Sequence, residues 1–217
     1  MKKYLFLGIV AVALMSCKEE LNEGMLNFYF DNPQPVNDSE LSELPSGFRG
    51  SYASDDNERL VISDLAIYHE NDFSETMHKS KVDSIGIYKN GKVVFDTGQV
   101  FNAVKRNDSL LIIGVLRDTI FKLSTTQKAK RINGQLVLST KDSVFWKANI
   151  VSFERDSLKI KHLSTNEDYI AIQPLVKNLK ASTDTTFVNI NPTRAEFRKI
   201  LKLRKFGWEK GYKKVRS

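Results

Sequence analysis

Short runs of apolar residues, alternating with polar ones and separated by Gly, Asn, Asp and Ser, extend over residues 45–190. The alternation is clearest where Leu158 and Ile160 alternate with Lys159 and Lys161. A period of two places successive side chains on opposite faces of a β-strand. The pattern therefore predicts an all-β domain of about ten short strands.

The predicted strands share apolar and β-branched residues between turn signals. They cover residues 60–68, 84–88, 93–95, 110–115, 119–123, 131–132, 135–138, 144–146, 150–153, 158–163 and 169–172. We expect a surface loop between His69 and His78.

Two Asn-Gly pairs, Asn90-Gly91 and Asn133-Gly134, lie between predicted strands. Asn-Gly accepts the positive φ angles of a type I′ turn, and such turns join antiparallel strands. The connections are also too short for the crossovers of a parallel sheet. We therefore predict an antiparallel meander, either a lipocalin-like up-and-down barrel or a strongly curved sheet, because its edges must be hidden.

The chain after residue 190 changes to a helical period. Thr193 and Glu196 have the spacing of a capping box. An apolar side and a basic side follow at helical spacing. The apolar residues are Phe197, Ile200, Leu201 and Leu203, and the basic residues are Arg194, Arg198, Lys202 and Lys205. The pattern predicts one amphipathic α-helix whose apolar face packs on the sheet.

The N-terminus combines two lysines, an apolar run over residues 4–14 and Cys17, the only cysteine of the chain. The run is far shorter than the ~20 residues that span a bilayer and is typical of a signal peptide. The segment resembles the signal of a bacterial lipoprotein. That resemblance implies cleavage before Cys17 and lipid chains on its sulfur; the alternative is an ordinary secretory leader.

These segments predict four regions along the chain. They are a signal peptide over residues 1–16, a lipidated tether over 17–44, a β domain over 45–190, and a basic helix and tail over 191–217. Within the tether, Leu26 to Phe30 is apolar enough to dock on the domain as a short strand.

Lys18, Glu19 and Glu20 follow the cysteine directly. This triplet resembles the export signal of Bacteroidota surface lipoproteins. The resemblance implies an outer-membrane anchor and display at the cell surface, with the periplasmic face as the alternative.

The net charge of +7 is concentrated at the C-terminus, where residues 191–217 hold ten Lys and Arg against two acidic residues. Nucleic acid is not the expected partner of an exported chain without interleaved aromatic residues. Acidic envelope lipids or another envelope protein are the expected partners, with Arg194, Arg198, Lys202 and Lys205 as the contact residues. The alternative is a solvated helix face.

No catalytic constellation emerges from the motifs. Asp96-Thr97-Gly98 matches an aspartic-protease signature, but that chemistry needs two carboxylates, so a single copy requires a dimer. We predict that Asp96 ends a strand and that Thr97-Gly98 turns the chain. His69, His78 and His162 lack the spacing of a zinc site.

The segment Asp55-Asp56-Asn57-Glu58 lacks the Gly and the closing Glu of a calcium loop and predicts a hairpin turn. We therefore expect no enzymatic activity, no cofactor and no metal site.

Two segments carry a further resemblance. Pro33-Gln34-Pro35 and the stretch from Leu44 to Tyr52 resemble the opening of a group of uncharacterised Bacteroidota lipoproteins with a β-rich domain. Gly50-x-Tyr52 is similar to the Gly-x-Trp start of lipocalin-like barrels, with Tyr in place of Trp. The expectation is a non-enzymatic envelope lipoprotein that binds or interacts. The alternative is a carrier of small apolar ligands inside the barrel.

Overall fold

The computed structural model describes residues 25–56, 58–154, 157–181, 186–203, 205 and 207–215. Cys17 and the triplet Lys18, Glu19 and Glu20 lie outside the described residues, so the predictions made on them stay predictions.

The described residues form fifteen strands, three short α-helices and one 3-10 turn (Ser46–Phe48). The strands are β1 (Asn27–Tyr29), β2 (Gly50–Ala53), β3 (Arg59–Ile62), β4 (Ala66–His78), β5 (Gly86–Lys89), β6 (Lys92–Phe95), β7 (Val100–Arg106), β8 (Ser109–Lys122), β9 (Gln127–Ile132), β10 (Gln135–Asp142), β11 (Phe145–Glu154), β12 (Ser157–His162), β13 (Leu179–Ala181), β14 (Phe187–Ile190) and β15 (Trp208–Lys214). The helices are α1 (Lys79–Asp83), α2 (Asn166–Ile172) and α3 (Arg194–Ile200).

Twelve strands form one antiparallel sheet in the order β5-β6-β7-β8-β4-β3-β2-β15-β12-β11-β10-β9. The predicted antiparallel β fold is confirmed, and the sheet stays open rather than closing into a barrel. The edge strand β9 is covered by the N-terminal segment instead, because the Leu41 N–H donates to the Ala129 carbonyl at 2.8 Å. A three-stranded sheet, β1-β14-β13, forms a separate layer.

Both predicted Asn-Gly hairpins are present. Asn90 and Gly91 have φ angles of 53° and 73° and join β5 to β6. Asn133 and Gly134 have φ angles of 52° and 79° and join β9 to β10. These left-handed angles are the ones that a type I′ turn requires.

Several local predictions were wrong, among them the following three. The predicted strand 60–68 is divided by a turn, where the Ser63 N–H donates to the Ala66 carbonyl at 2.8 Å. The predicted loop after His69 is part of the continuous strand β4, because β8 pairs with it through His78. The predicted strand 169–172 is the end of α2, which a capping box of Thr165 and Asp168 begins.

The apolar side chains form three cores, named here by position. The central core contains Leu44, Phe48, Tyr52, Leu60, Ile62, Ile67, Phe121, Ala129, Leu136, Leu138, Val151, Leu158 and Tyr212. The helix-side core contains Leu26, Phe28, Phe30, Ile132, Val137, Ile150, Leu163, Ile172, Val176, Val188, Ile190, Phe197, Ile200 and Leu201. The outer core contains Met77, Val82, Val93, Phe101, Ala103, Leu110 and Ile112.

Much of the predicted tether is folded, which corrects the boundary between tether and domain. Strand β1 pairs with β14, as the apolar stretch predicted. Further along, the buried ammonium of Lys130 donates to the carbonyls of Pro33 and Pro35 at 3.1 and 3.0 Å. Leu44 is fully buried in the central core. Within the predicted tether, every described residue thus belongs to a segment that packs on the domain.

The C-terminal helix is shorter than predicted, because α3 ends at Ile200, and Lys202, Leu203 and Lys205 follow it. The predicted apolar face is buried at Phe197, Ile200 and Leu201.

The prediction of a tail after the helix was wrong. Residues Trp208–Lys214 form strand β15, which pairs with β12 and β2. Gly207, directly before β15, has a φ of 70°. A Cβ at this position would lie 1.6 Å from the His162 carbonyl oxygen, so only glycine fits there.

A ring of four charges stabilises β15 on its outer face. Lys159 contacts Glu154 at 2.7 Å and Glu209 at 2.6 Å, and Lys161 contacts the same two carboxylates at 2.8 and 2.9 Å. The hydrogen bonds from Lys159 and Lys161 lower the pKa of Glu154 to about 2.

Glu154→Gln should therefore reduce stability only where Glu154 is ionised. A lowered pKa in the folded state gives stability that is present above the unfolded value near 4.5 and is lost as the pH falls towards 2. Because Glu154 is half exposed, we expect a difference below about 1 kcal/mol at pH 7. Urea unfolding of both proteins at pH 7, 4 and 2.5 measures it, and a difference that persists at pH 2.5 would contradict the assignment.

Candidate functional site

A cavity of about 250 Å³ lies within the helix-side core. Seven buried apolar side chains line it: Leu26, Phe28, Phe30, Ile150, Leu163, Phe197 and Ile200. Protein cores are close-packed and leave few voids larger than a water molecule. An apolar cavity of this size, partly open to solvent, is therefore suited to a small apolar ligand.

The N-terminal segment forms one wall of the cavity. Leu26 N–H donates to the Ser164 carbonyl at 2.7 Å, and Phe30 exchanges two backbone hydrogen bonds of 2.8 Å with Trp146. The Phe30 ring then meets the ring of Phe197 edge to face, with centroids 6.2 Å apart. Residues of the N-terminal segment, β11 and α3 thus line the same cavity.

Polar side chains lie at the rim. The ammonium of Lys147 is 2.9 Å from the Asp142 carboxylate and 5.0 Å from the centre of the Tyr29 ring. The hydrogen bond to Asp142 raises the pKa of Lys147, so this cation stays charged at neutral pH. Asn149 and Ser164 add neutral hydrogen-bonding groups.

His162 also lines the cavity and stacks on Trp208 with ring centroids 5.1 Å apart. Burial lowers the pKa of His162, which favours the neutral imidazole. A neutral imidazole offers one donor and one acceptor. The rim therefore suits a polar head group, and the interior suits an apolar tail.

The central core, by contrast, is filled. Tyr52 and Phe121 are among its largest fully buried side chains, and the Tyr52 hydroxyl donates to the Phe48 carbonyl at 2.7 Å. The cavity lies on the other face of the open sheet, beneath β1, and not inside a barrel.

A second polar cluster surrounds Glu58. Its carboxylate accepts from the Tyr212 hydroxyl at 3.1 Å and pairs with His69 and Lys210. Burial raises the pKa of Tyr212. None of these four side chains lines the 250 Å³ cavity. The cluster connects β15 to β3 and β4, so its evident role is structural.

The four residues predicted to contact acidic lipids do not share one environment. Arg194 pairs with Asp38 of the N-terminal segment through both carboxylate oxygens, with 2.9 Å between Nη2 and Oδ2. The hydrogen bond from Arg194 lowers the pKa of Asp38. Arg198, Lys202 and Lys205 are exposed. Arg194 therefore has a structural partner, and three cations remain for a surface contact.

The other motifs occupy separate places. Asp96 is exposed in the turn between β6 and β7, where Gly98 has a φ of 81°, as the turn prediction required. The imidazole of His78 lies 3.3 Å from Asp108, at the far end of β4 from His69. Within the described ranges, no group of three His, Cys, Asp or Glu residues could hold a metal ion.

No helix among the described residues has the length and apolar character needed to cross a membrane. Comparisons with protein-family models, with curated proteins and with solved structures found no match to this chain.

Proposed function

We propose that this protein is a non-enzymatic cell-envelope lipoprotein, anchored through Cys17, that binds a small amphiphilic ligand with an apolar tail. The cavity in the helix-side core is the observation that carries the binding role. The signal-like N-terminus supports the anchor. Each methylene of a ligand tail that leaves water contributes ~0.8 kcal/mol, so a medium-length acyl chain supplies useful affinity.

We expect the protein to bind decanoic acid with its tail in the cavity. Ala148 lines the cavity, so Ala148→Phe should fill it and weaken binding at least tenfold, since about two buried methylenes already account for that factor. Ala195→Phe is the matched control, because Ala195 is exposed on α3. Isothermal titration of both variants and the wild type measures the effect.

Ile200→Ala enlarges the cavity instead of filling it, so it tests the same site even if Ala148→Phe disturbs folding. It should shift the preference from decanoic towards longer acids. Equal decanoate affinity in the wild type, Ala148→Phe and Ala195→Phe would contradict the proposed site.

The anchor predicts that Cys17 carries lipid. Cells grown with a clickable fatty acid should label the wild type, and Cys17→Ala should remove the label and leave the protein unprocessed. An unlabelled wild type would contradict the anchor without affecting the cavity.

Display at the cell surface is the proposed location, through Lys18, Glu19 and Glu20. Protease treatment of intact cells should digest the wild-type domain, and replacement of all three residues by Ala should protect it. Equal protection of both proteins would place the domain on the periplasmic face.

A further inference from the structure

The outward face of strands β5 to β8 exposes six aliphatic side chains. Six residues define this aliphatic face: Ile87, Val94, Val100, Val104, Ile113 and Val115, each 42–68% exposed. The opposite face of the same strands packs in the outer core. The aliphatic face therefore contributes nothing to that core.

Backbone pairing places the six positions on one face of the sheet, with Asn102 between Val100 and Val104. Ile87 pairs with Val94 across β5 and β6, and Val94 pairs with Val100 across β6 and β7. Val104 pairs with Leu111 across β7 and β8. Directly paired residues of antiparallel strands have their side chains on one face. Exposed apolar surface of this kind marks an interaction site.

Three cations share this face, namely Lys89, Lys92 and Arg106. None of them belongs to an ion pair among the described residues. Lys89 and Lys92 lie directly opposite each other, an arrangement that like charges disfavour unless an anion is present.

Two acidic residues of β4 near the face, Asp72 and Glu70, are already paired, whereas the exposed carboxylate of Asp96, at the end of β6, has no ion pair among the described residues. Asp72 pairs with Arg59 at 2.5 Å, and Glu70 pairs with Arg117 at 2.7 Å. Three unpaired cations against the single carboxylate of Asp96 leave the aliphatic face with a positively charged rim. A second copy of this chain would bring two such rims together, so charge disfavours a face-to-face dimer.

We infer that the aliphatic face of β5–β8 rests on an anionic bilayer surface. Lipid phosphates compensate the three cations, and the aliphatic side chains enter the boundary between head groups and acyl chains. This contact goes beyond ligand binding and rests on the proposed anchor. Cys17 precedes Met25 by eight residues, so the lipid is at most about 26–29 Å of extended chain away from the folded body.

The lipidated protein itself provides the test, because a thiol introduced into it is the only free one. Val104→Cys lies on the aliphatic face, and Val144→Cys, at a position 70% exposed in the β10–β11 turn, is the matched control. Each is labelled with a nitrobenzoxadiazole dye and placed in vesicles of phosphatidylglycerol and phosphatidylcholine, or of phosphatidylcholine alone. Aqueous dithionite then reduces any dye that water reaches.

In the anionic vesicles, we expect reduction at least tenfold slower at residue 104 than at residue 144, since three basic residues favour an anionic surface on the order of 100-fold. High salt, neutral vesicles, or the triple change Lys89→Glu, Lys92→Glu and Arg106→Glu should remove the difference.

Equal reduction at both positions in anionic vesicles, with the protein still co-sedimenting, would overturn the membrane contact and leave the anchor intact. Failure to co-sediment would overturn both. Protection at residue 104 in whole envelopes but not in pure vesicles would assign the face to a protein partner and overturn the lipid contact.

Discussion

Asp168→Ala should lower the free energy of unfolding by about 3–5 kcal/mol, because it leaves buried backbone donors without partners. The carboxylate of Asp168 is almost fully buried and accepts hydrogen bonds from the N–H groups of Ser164, Thr165 and Gly207 at 2.8, 2.9 and 2.5 Å. These bonds connect the start of α2 to the start of β15. One side chain thus fixes two elements that lie far apart in sequence.

Glu167→Ala is the control for Asp168→Ala. Glu167 is the preceding residue of α2 and is exposed, so its loss should change stability by no more than about 0.5 kcal/mol. Urea unfolding monitored by Trp fluorescence measures both variants. Similar effects of the two substitutions would show that the three hydrogen bonds do not stabilise the fold as described.

Phe197→Ala should cost about 3–5 kcal/mol, the range for removing a buried aromatic side chain. The Phe197 side chain is 1% exposed and packs edge to face on Phe30. Its loss would enlarge the existing cavity and loosen the contact between α3 and β1. Lys199→Ala, at an exposed position of the same helix, should stay within about 0.5 kcal/mol.

The unfolding midpoints of Phe197→Ala and Lys199→Ala, measured with the same denaturant, decide this prediction. Phe197→Leu should recover part of the loss by refilling the site. A loss below about 1 kcal/mol for Phe197→Ala would mean that α3 is not an integral part of the helix-side core.

The sequence was informative where local physics determines the structure. Alternation placed Leu158 in the core and Lys159 on the outer face, and the Asn-Gly pairs have the φ angles that their chemistry allows. Thr193 and Glu196 begin α3 with the predicted capping box. Each of these features depends on a few neighbouring residues.

Several elements were missed, among them α1, β7, β13 and β14. For two others, the local signals were weak or contradictory. Tyr169 to Ile172 is apolar and contains two Ile residues, so it suggested a strand, although Thr165 and Asp168 have capping-box spacing. Strand β15 is mostly charged and contains Gly211. Its buried side chain is Tyr212, which packs in the central core and donates a hydrogen bond from its hydroxyl to Glu58.

The N-terminal segment shows how distant contacts override local composition. Prolines and polar turn residues predicted a tether over residues 17–44. In the fold, Gln34 is 1% exposed, and its N–H donates to the Ser139 hydroxyl at 3.1 Å. Lys130 binds the carbonyls on either side of it. These partners lie about a hundred positions away, where no local pattern could indicate them.

The cavity could not be predicted for the same reason. Its walls come from the N-terminal segment with β1, from β11, from the end of β12 and from α3, and its volume depends on how closely these elements approach. The sequence predicted the docking of Leu26 to Phe30 and the apolar face of α3, but not the space left between them. The sequence also predicted that Arg194 contacts acidic lipids, but in the fold Arg194 pairs with Asp38 of the N-terminal segment.

Native mass spectrometry of the lipidated protein, released gently from its own envelope, tests the central claim most directly. We expect wild-type protein to carry one additional non-covalent molecule of apolar character, lost on mild activation, and Ala195→Phe to carry the same molecule. Ala148→Phe should retain the covalent lipid on Cys17 and lack the additional mass. Wild-type protein without an additional mass, or an equal additional mass in Ala148→Phe, would contradict ligand binding in the cavity.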